Sequence, residues 1–472
     1  MANHGIYVSE AKSSSSSPVS VATGIPVDVG LSPIQNAENP APVGLPIVIR
    51  NFAEFVERFG YSDDWATYPL CEFAYSHFQI FGMQPAIFIN LLDPATHKSA
   101  VAAADKDVTA KKVELTETAI DDSGLVVKAA GGNGTAYVKD TDYSVYYNED
   151  RKLVVELLPD STHYSETSLN IAYNAVTPAS INASAVATGI DKIDLCMSKA
   201  DIIPDLIVAT GFSHNASVAA VMAAKAGAVN GMFKAKALID IDASTVTTIA
   251  GAVTAKTTNN FTSPDEIVCW PMVKFGTRKF HLSSLLAGVI AATDVEYGAS
   301  YVSPSNKLLG GGDALILADG TEVNMSISNA NTLNANGIVT ALNFMGDLRA
   351  WGNYTAAYPD ASEVKDTVIP VRRMFDWVNN SLIQTFWSRL DSPMNRRFID
   401  SILDSANIWM NGLTGTGYIL GGRVEMLDSE NPTENLLNNI VKLHIYMTPT
   451  APAQEIDFVL EYDASYLEEA FT

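Results

Sequence analysis

Near its C-terminal end the chain reads EIDFVLEYD over residues 455–463. Ile456, Phe458, Leu460 and Tyr462 alternate with Asp457, Val459 and Glu461, the period of a strand with one apolar and one largely polar face. A strand of this kind is not stable alone, because its ladder groups and its apolar face both need a sheet. Before it stands Thr448-Pro449-Thr450-Ala451-Pro452, a breaker-rich stretch that makes Pro449 and Pro452 a candidate hinge. The strand can fold back onto its own domain or be handed to another molecule. Either way, some sheet edge must accept one more strand.

The other end carries a similar piece. Gly5-Ile6-Tyr7-Val8-Ser9 reads as a short strand, followed by the run 13–17 of serines and Pro18, a flexible tether. Between the ends, 472 residues suffice for about two to four domains. Residues 19–29 and 46–49 read as strands. Asn51 caps a helix with Phe52, Phe55, Val56 and Phe59 on one face, and Gly60 stops it. Residues 68–81 read as a second helix and 84–92 as a buried strand, an order that indicates an α/β core.

From residue 108 to 176 short strands alternate with Gly- and Asp-rich turns, at 112–117, 125–128, 136–139, 143–147, 153–158 and 168–173. This pattern indicates an inserted all-β sandwich or barrel. The α/β pattern returns with strands at 206–209, 237–241 and 267–271 and helices at 217–226 and 283–293, while 324–336 reads as a polar loop. An amphipathic helix over 371–390 places Val371, Met374, Phe375, Val378, Leu382, Phe386 and Leu390 on one side. Ser392-Pro393 start another helix that runs to about residue 410, where Asn411-Gly412 stop it. Val441, Leu443, Ile445 and Met447 mark a strand.

The expected architecture is a multidomain α+β or α/β chain, with a mixed sheet and flanking helices. Its parts are an arm at 1–18, a middle domain at 19–93 and 186–345, a β insertion at 94–185, a C-terminal core at 346–448, and a hinge with terminal strand at 449–472.

A net charge of −23 leaves no basic face for phosphates and argues against nucleic acid as a partner. It suits a subunit that repels its own copies until specific contacts prevail. Cys71, Cys196 and Cys269 are odd in number and lack metal-ligand spacing, so buried thiols in a reducing cytoplasm are expected. The opening MANHGIYVSE has no signal-peptide pattern and no apolar run reaches a membrane span, so direct membrane insertion is not expected. Gly310-Gly311-Gly312-Asp313 has no Lys-Ser/Thr after it, and Gly415-Thr416-Gly417-Tyr418-Ile419-Leu420 lacks a third glycine, which suits a turn between helix and strand. Gly211-Phe212-Ser213-His214-Asn215 has asparagine where a nucleophile elbow needs glycine. With no catalytic or metal-binding set, the chain reads as a non-enzyme without a cofactor. Arg372, Arg373, Arg389, Arg396 and Arg397 gather on the two C-terminal helices, while beyond Glu425 only Lys442 is strongly basic. Such a separation can set register between copies, or it can be a pair of solvated helix faces.

The order of segments resembles that of the tail sheath proteins of contractile-tailed bacteriophages and phage-tail-like bacteriocins. Gly5-Ile6-Tyr7-Val8-Ser9-Glu10 is similar to the family's opening Gly-Val-Tyr-Val-x-Glu. Phe52-Ala53-Glu54-Phe55, Phe59-Gly60 and the segment 75–88 follow. Pro271, the stretch Leu286-Ala287-Gly288-Val289-Ile290-Ala291-Ala292-Thr293-Asp294, Gly298 and Pro304-Ser305-Asn306 resemble a further family run, and Trp351-Gly352 and Val371-Arg372-Arg373 complete the series. Ala292 and Asn353 depart from it, where many members carry arginine.

The resemblance implies a structural subunit that stacks as hexameric rings around a tail tube and exchanges terminal strands with its neighbours. It implies a metastable extended state whose contraction drives the tube through a cell envelope, with the C-terminal core facing the tube and the β insertion outside. Tube, baseplate and tail terminator proteins are the implied partners. The implied location is a virion tail or bacteriocin particle assembled in the bacterial cytoplasm. The five arginines would then meet acids on the tube or on the next subunit. Another self-assembling shell or surface-layer protein is the alternative, and it would open with a signal peptide.

Overall fold

The computed structural model describes residues 20–463 and Tyr466. The strand expected at Gly5, Ile6, Tyr7 and Val8 lies outside the described residues. Strand β1 (Pro26–Gly30) has all five residues buried, and β2 (Ile47–Ile49) leads into helix α1 (Phe52–Phe59). Asn51 Oδ1 accepts the Glu54 amide at 2.9 Å, and Gly60 ends α1 with φ 71°. A side chain on Gly60 would collide with the Pro33 carbonyl oxygen, so glycine is required for space as well as for φ. Helix α2 (Pro69–Ala74) passes into a π-helical segment, Tyr75–Ile80, before β3 (Ala86–Asn90). The single helix expected over 68–81 is therefore two segments of different winding.

The chain then leaves the sheet. Strands β4 (Lys98–Asp107), β5 (Lys112–Glu114), β6 (Ala119–Ile120), β7 (Val126–Ala129), β8 (Tyr143–Tyr147), β9 (Leu153–Leu157) and β10 (Ser168–Val176) build two small sheets. One has the order β4-β10-β6 with β7 also on β10; the other is β5-β9-β8. Val113, Tyr143, Val155 and Leu157 meet Val127, Leu169, Ile171 and Tyr173 in a core separate from the main one. Residues 136–139 depart from expectation, forming only an isolated bridge at Lys139. Strand β4 is invisible to periodicity because KSAVAAADKD is alanine-rich, and it is held by its long pairing with β10.

Helices α3 (Ala183–Ile190) and α4 (Cys196–Ala200) return the chain to the main sheet. There follow β11 (Leu206–Val208), α5 (Ala216–Gly227), β12 (Lys236–Asp240), α6 (Ile249–Thr258) and β13 (Glu266–Cys269). Next come β14 (Met272–Phe275), β15 (Arg278–Phe280), α7 (Leu282–Tyr297), β16 (Ala314–Ile316), α8 (Ile327–Asn334), β17 (Ile338–Phe344) and β18 (Asp347–Trp351). The main sheet has the order β18-β17-β13-β12-β11-β1-β3-β2. Its inner strands are parallel and its two edge strands antiparallel. Helices α2 and α7 cover one face and α3 and α5 the other, which is why the inner strands are apolar runs rather than alternations.

Two expectations change here. The β17–β18 hairpin crosses residue 345, so the sheet runs past that boundary. The loop expected at 324–336 contains α8, where Ser326 Oγ accepts the Asn329 amide at 3.1 Å. Only Ala330 and Leu333 of α8 are buried, too few apolar positions to show a period.

The C-terminal unit comprises α9 (Val364–Thr367), α10 (Ile369–Phe386), α11 (Arg396–Gly415), β19 (Ile419–Glu425), α12 (Thr433–Leu437) and β20 (His444–Pro449). Met374, Trp377 and Val378 of α10 meet Ala406, Trp409, Met410 and Leu413 of α11 and Ile419 and Val424 of β19. Helix α10 stops at Phe386, so Leu390 leaves the expected seam and is 62% exposed. Asn395, not Ser392, caps α11, accepting the Phe398 amide at 3.0 Å. The helix passes Asn411-Gly412 because burial of Leu413 outweighs the cost of about 1 kcal/mol for a helical glycine.

Asp28, in the centre of β1, gives the fold a pH dependence. Burial pushes its carboxyl up to about 7, the Thr210 amide and hydroxyl oppose the rise, and the charge of Glu72 adds to it. The same carboxyl titrates at about 3.9 in an unfolded chain. Between these values the folded chain keeps a proton that the unfolded chain has released, so stability from this group falls as pH rises. Urea denaturation at fixed ionic strength is expected to show wild-type stability falling between about pH 4 and 7 by up to about 1.4 kcal/mol per unit from this group. Asp28→Asn should flatten that slope; equal slopes would mean that Asp28 is ionised throughout.

Candidate functional site

Strands β19 and β20 form a two-stranded antiparallel sheet, with Ile419 opposite Pro449 and Glu425 opposite His444. Helix α11 packs on β19. Neither strand has a second neighbour among the described residues, so each presents an open edge. Beside β20 lies a groove lined by Phe375, Val378 and Leu382 of α10 with Ile445 and Met447.

Residues 451–463 leave this sheet without regular structure. Ile456 is 69% exposed, Phe458 86%, Leu460 96% and Tyr462 78%. The apolar face read in the sequence is thus uncovered within the chain. The hinge needs correction at Pro449, which closes β20 and is buried opposite Ile419. Thr450 is also tied down, its Oγ1 donating to the Gly417 carbonyl at 2.9 Å. The stretch without regular structure begins at Ala451 and includes Pro452, and Gln454 within it accepts a hydrogen bond from the Tyr354 hydroxyl at 2.8 Å.

The five arginines do not form one surface. Arg373 is 3% exposed and donates to both carboxylate oxygens of Asp294, to Asp205 at 2.9 Å and to Thr23 at 3.3 Å. Burial works against its charge, but Asp294 and Asp205 more than offset this and raise its pKa above the ordinary arginine value. Burial also raises the Asp294 carboxyl, although Arg373 pulls it down. Arg372 pairs with Asp376 at 2.7 Å and with Asp366 at 3.3 Å. Lys236, 1% exposed, lies between Asp265 and Asp376, its Nζ 2.7 Å from the latter. Two buried ion knots therefore join α10 to the main sheet. Arg372 and Arg373 serve the inside of the subunit, which corrects their assignment to a tube or neighbour contact. Placing a long amphipathic helix in the sequence does not reveal which of its charges face another domain.

Arg389, in the turn after α10, and Arg396 and Arg397, which open α11, remain exposed. Arg396 pairs with Asp400 at 2.9 Å. Around them Trp387 is 57% exposed, Leu390 62% and Met394 39%. The sequence reading assigned no role to Trp387; its signal is a large apolar residue next to Arg389 where the helix period ends.

The chain thus joins an α/β core and two small inserted sheets to a C-terminal unit that carries open sheet edges and an uncovered apolar arm. Comparison with known proteins shows what such a chain is similar to. No family model matches the chain. The tail sheath protein of Burkholderia phage BcepMu is 28% identical over 416 residues, covering 82% of this chain and 83% of that protein. A putative prophage major tail sheath protein of Pseudomonas aeruginosa is 24% identical over 330 residues, covering 68% and 80%. Among solved structures, the sheath of an extracellular contractile injection system (PVC) in the contracted state matches with a TM-score of 0.60 at 15% identity, covering 99% of both chains. The chain is thus similar in sequence to phage and prophage tail sheath proteins, and its fold is similar to that of a contractile injection system sheath.

Proposed function

We propose that the chain polymerises as stacked hexameric rings around a tail tube, each subunit donating its terminal arms to the open sheet edges of neighbours. The observation that carries this reading is the pairing of an uncovered period-two arm, Ile456 to Tyr462, with a two-stranded sheet whose edges are open. The missing N-terminal partner would be Gly5, Ile6, Tyr7 and Val8. Each ladder hydrogen bond adds about 0.5–1.5 kcal/mol net. Each large apolar side chain that becomes covered adds about 1.5–3 kcal/mol. Head-to-tail contacts close into rings where their rotation allows and build a helical array where it does not.

Contraction would draw on a metastable extended assembly, driving the tube through the target envelope without nucleotide hydrolysis. The exposed Trp387 and Arg389, with Arg396 and Arg397 at the start of α11, suit an acidic surface of the tube or the next subunit. Tube, baseplate and terminator proteins are the proposed partners, in a virion tail or bacteriocin particle assembled in the host cytoplasm. Nucleic acid and membrane have no part in it.

A chain lacking residues 451–472 tests the reading. It should keep the circular dichroism and melting temperature of the full chain, because the arm covers little of the subunit. Negative-stain images should show isolated subunits in place of rings and hollow tubes. Rings and long tubes of normal appearance from this truncated chain would overturn arm donation.

A further inference from the structure

The described residues next to the two terminal segments, 21–25 and Thr450, lie in one region of the subunit. At the N-terminal root, the Val21 carbonyl accepts Trp377 Nε1 at 2.9 Å and the Val21 amide donates to Ser381 Oγ at 3.3 Å. The next residues are held by the Arg373 knot. The Gly24 and Ile25 amides donate to Asp205 at 3.0 and 2.6 Å, and Thr23 Oγ1 donates to Asp294 at 2.7 Å. A Cβ on Gly24 would stand 2.8 Å from Ala291 Cα, so this stretch is pressed onto α7.

At the C-terminal root, Thr450 bonds the backbone of the turn that opens β19. Its Oγ1 donates to the Gly417 carbonyl at 2.9 Å and its amide to the Tyr418 carbonyl at 3.4 Å. The Tyr418 ring stacks on Tyr301 with centroids 4.8 Å apart and meets the Trp377 ring edge-on at 6.5 Å. The phenol oxygen lies over the end of α7, where a Cβ on Gly298 would come within 2.8 Å of it. One residue therefore has its backbone at one arm root and its ring against the tryptophan that holds the other.

We infer that Tyr418 and Trp377 couple the two arm roots, so that strain on one arm of a subunit is passed to the root of its other arm. The use of this coupling rests on arm donation; its geometry does not. The side chains involved are stacked or hydrogen-bonded, and such packed pairs shift together rather than independently. In a mesh of donated strands, this lets a neighbour's pull on one arm reach the neighbour on the other without bending the subunit, whose domains the two ion knots hold together. Tyr418 is here a positioning residue, acting on the arms through Trp377 and Thr450.

Hydrogen exchange read by mass spectrometry on the full-length protein tests this. Thr450→Val removes the hydroxyl bond to Gly417 and touches nothing near Val21. It should nevertheless make the amides of residues 21–25 exchange about tenfold faster, within the range of coupling that neighbouring groups show. In a Tyr418→Leu background those amides should already exchange faster, and Thr450→Val should add nothing. Tyr418→Phe keeps the ring and should behave as the wild type. The amides of β11–β13 should keep their protection throughout, which separates root opening from unfolding. The inference is overturned if Thr450→Val loosens only its own strand end, or if the two substitutions act additively. Arm donation is judged separately, by whether the chain lacking residues 451–472 builds tubes, so the two ideas can fail independently.

Discussion

Arg373→Met is expected to destabilise the folded chain by about 3–5 kcal/mol at pH 8, the cost typical of breaking a buried pair from one side. The arginine side chain is 3% exposed and its principal partner, Asp294, is fully buried. Asp205, 17% exposed, loses its cation as well. Methionine offers Asp294 no donor, and the Thr23 hydroxyl alone cannot replace the guanidinium at a fully buried carboxylate. Protonation is its one escape, because burial already favours the neutral carboxyl. In the variant the native Asp294 pKa therefore lies above its unfolded value, and stability is recovered as pH falls below it. The penalty should shrink as pH falls from 8 toward the ordinary carboxylate range, and Asp294→Asn in the same chain should restore part of it.

Because Arg373 sits on α10 and its partners on the main sheet side, the variant should also lose cooperativity. Trp377 and Trp409 fluorescence should report an earlier transition than far-ultraviolet dichroism in urea, the mark of a C-terminal unit melting by itself. A loss under about 1 kcal/mol with coincident transitions would class the knot with surface ion pairs. The welding of the two domains would then have to come from apolar contacts alone.

The same knot marks where the sequence stops being readable. Helix α1 is legible because Asn51, its apolar face and Gly60 all act within one short stretch. Strands β8 and β9 are legible for the same reason: alternation and flanking turns are local. The inner sheet strands are visible as apolar runs, but the order that places β1 between β11 and β3 is set by helix packing at long range. Arg373 and Asp294 both stand in the segments that carry the family resemblance, yet they are 79 positions apart and no spacing rule joins them. Arg372 and Arg373 look on paper like Arg396 and Arg397. Only the acids brought up by the main sheet turn the first pair inward. Strand β4 and helix α8 are missed because their sequences carry weak intrinsic preference, and tertiary contacts decide for them.

The arm is the opposite case, a segment whose pattern was legible but whose apolar face has no cover among the described residues, and substitution on its two faces makes the strongest test. Phe458→Asp with Leu460→Asp should leave the isolated subunit unchanged in melting temperature, since these side chains are 86% and 96% exposed. Assembly should be lost. Two large apolar side chains that become covered in a neighbour are worth about 3–6 kcal/mol together. This corresponds to roughly a hundred- to ten-thousand-fold in the association constant of every contact. Because each subunit of a helical array repeats the contact, sedimentation at matched concentration should show the wild type as polymer and the variant as subunits.

Val459→Asp adds the same charge on the other face, between Asp457 and Glu461, and should leave tubes intact. The contrast separates a seated strand from a loosely sticky tail, which would respond to all three positions alike. It also fixes the register. If Val459→Asp abolishes tubes and the double variant does not, the strand sits shifted by one residue, with Asp457 and Glu461 turned toward the neighbour. The groove of Phe375, Val378 and Leu382 would then be the wrong receptor, because it offers those acids no partner beyond Lys234 and the already paired Arg372.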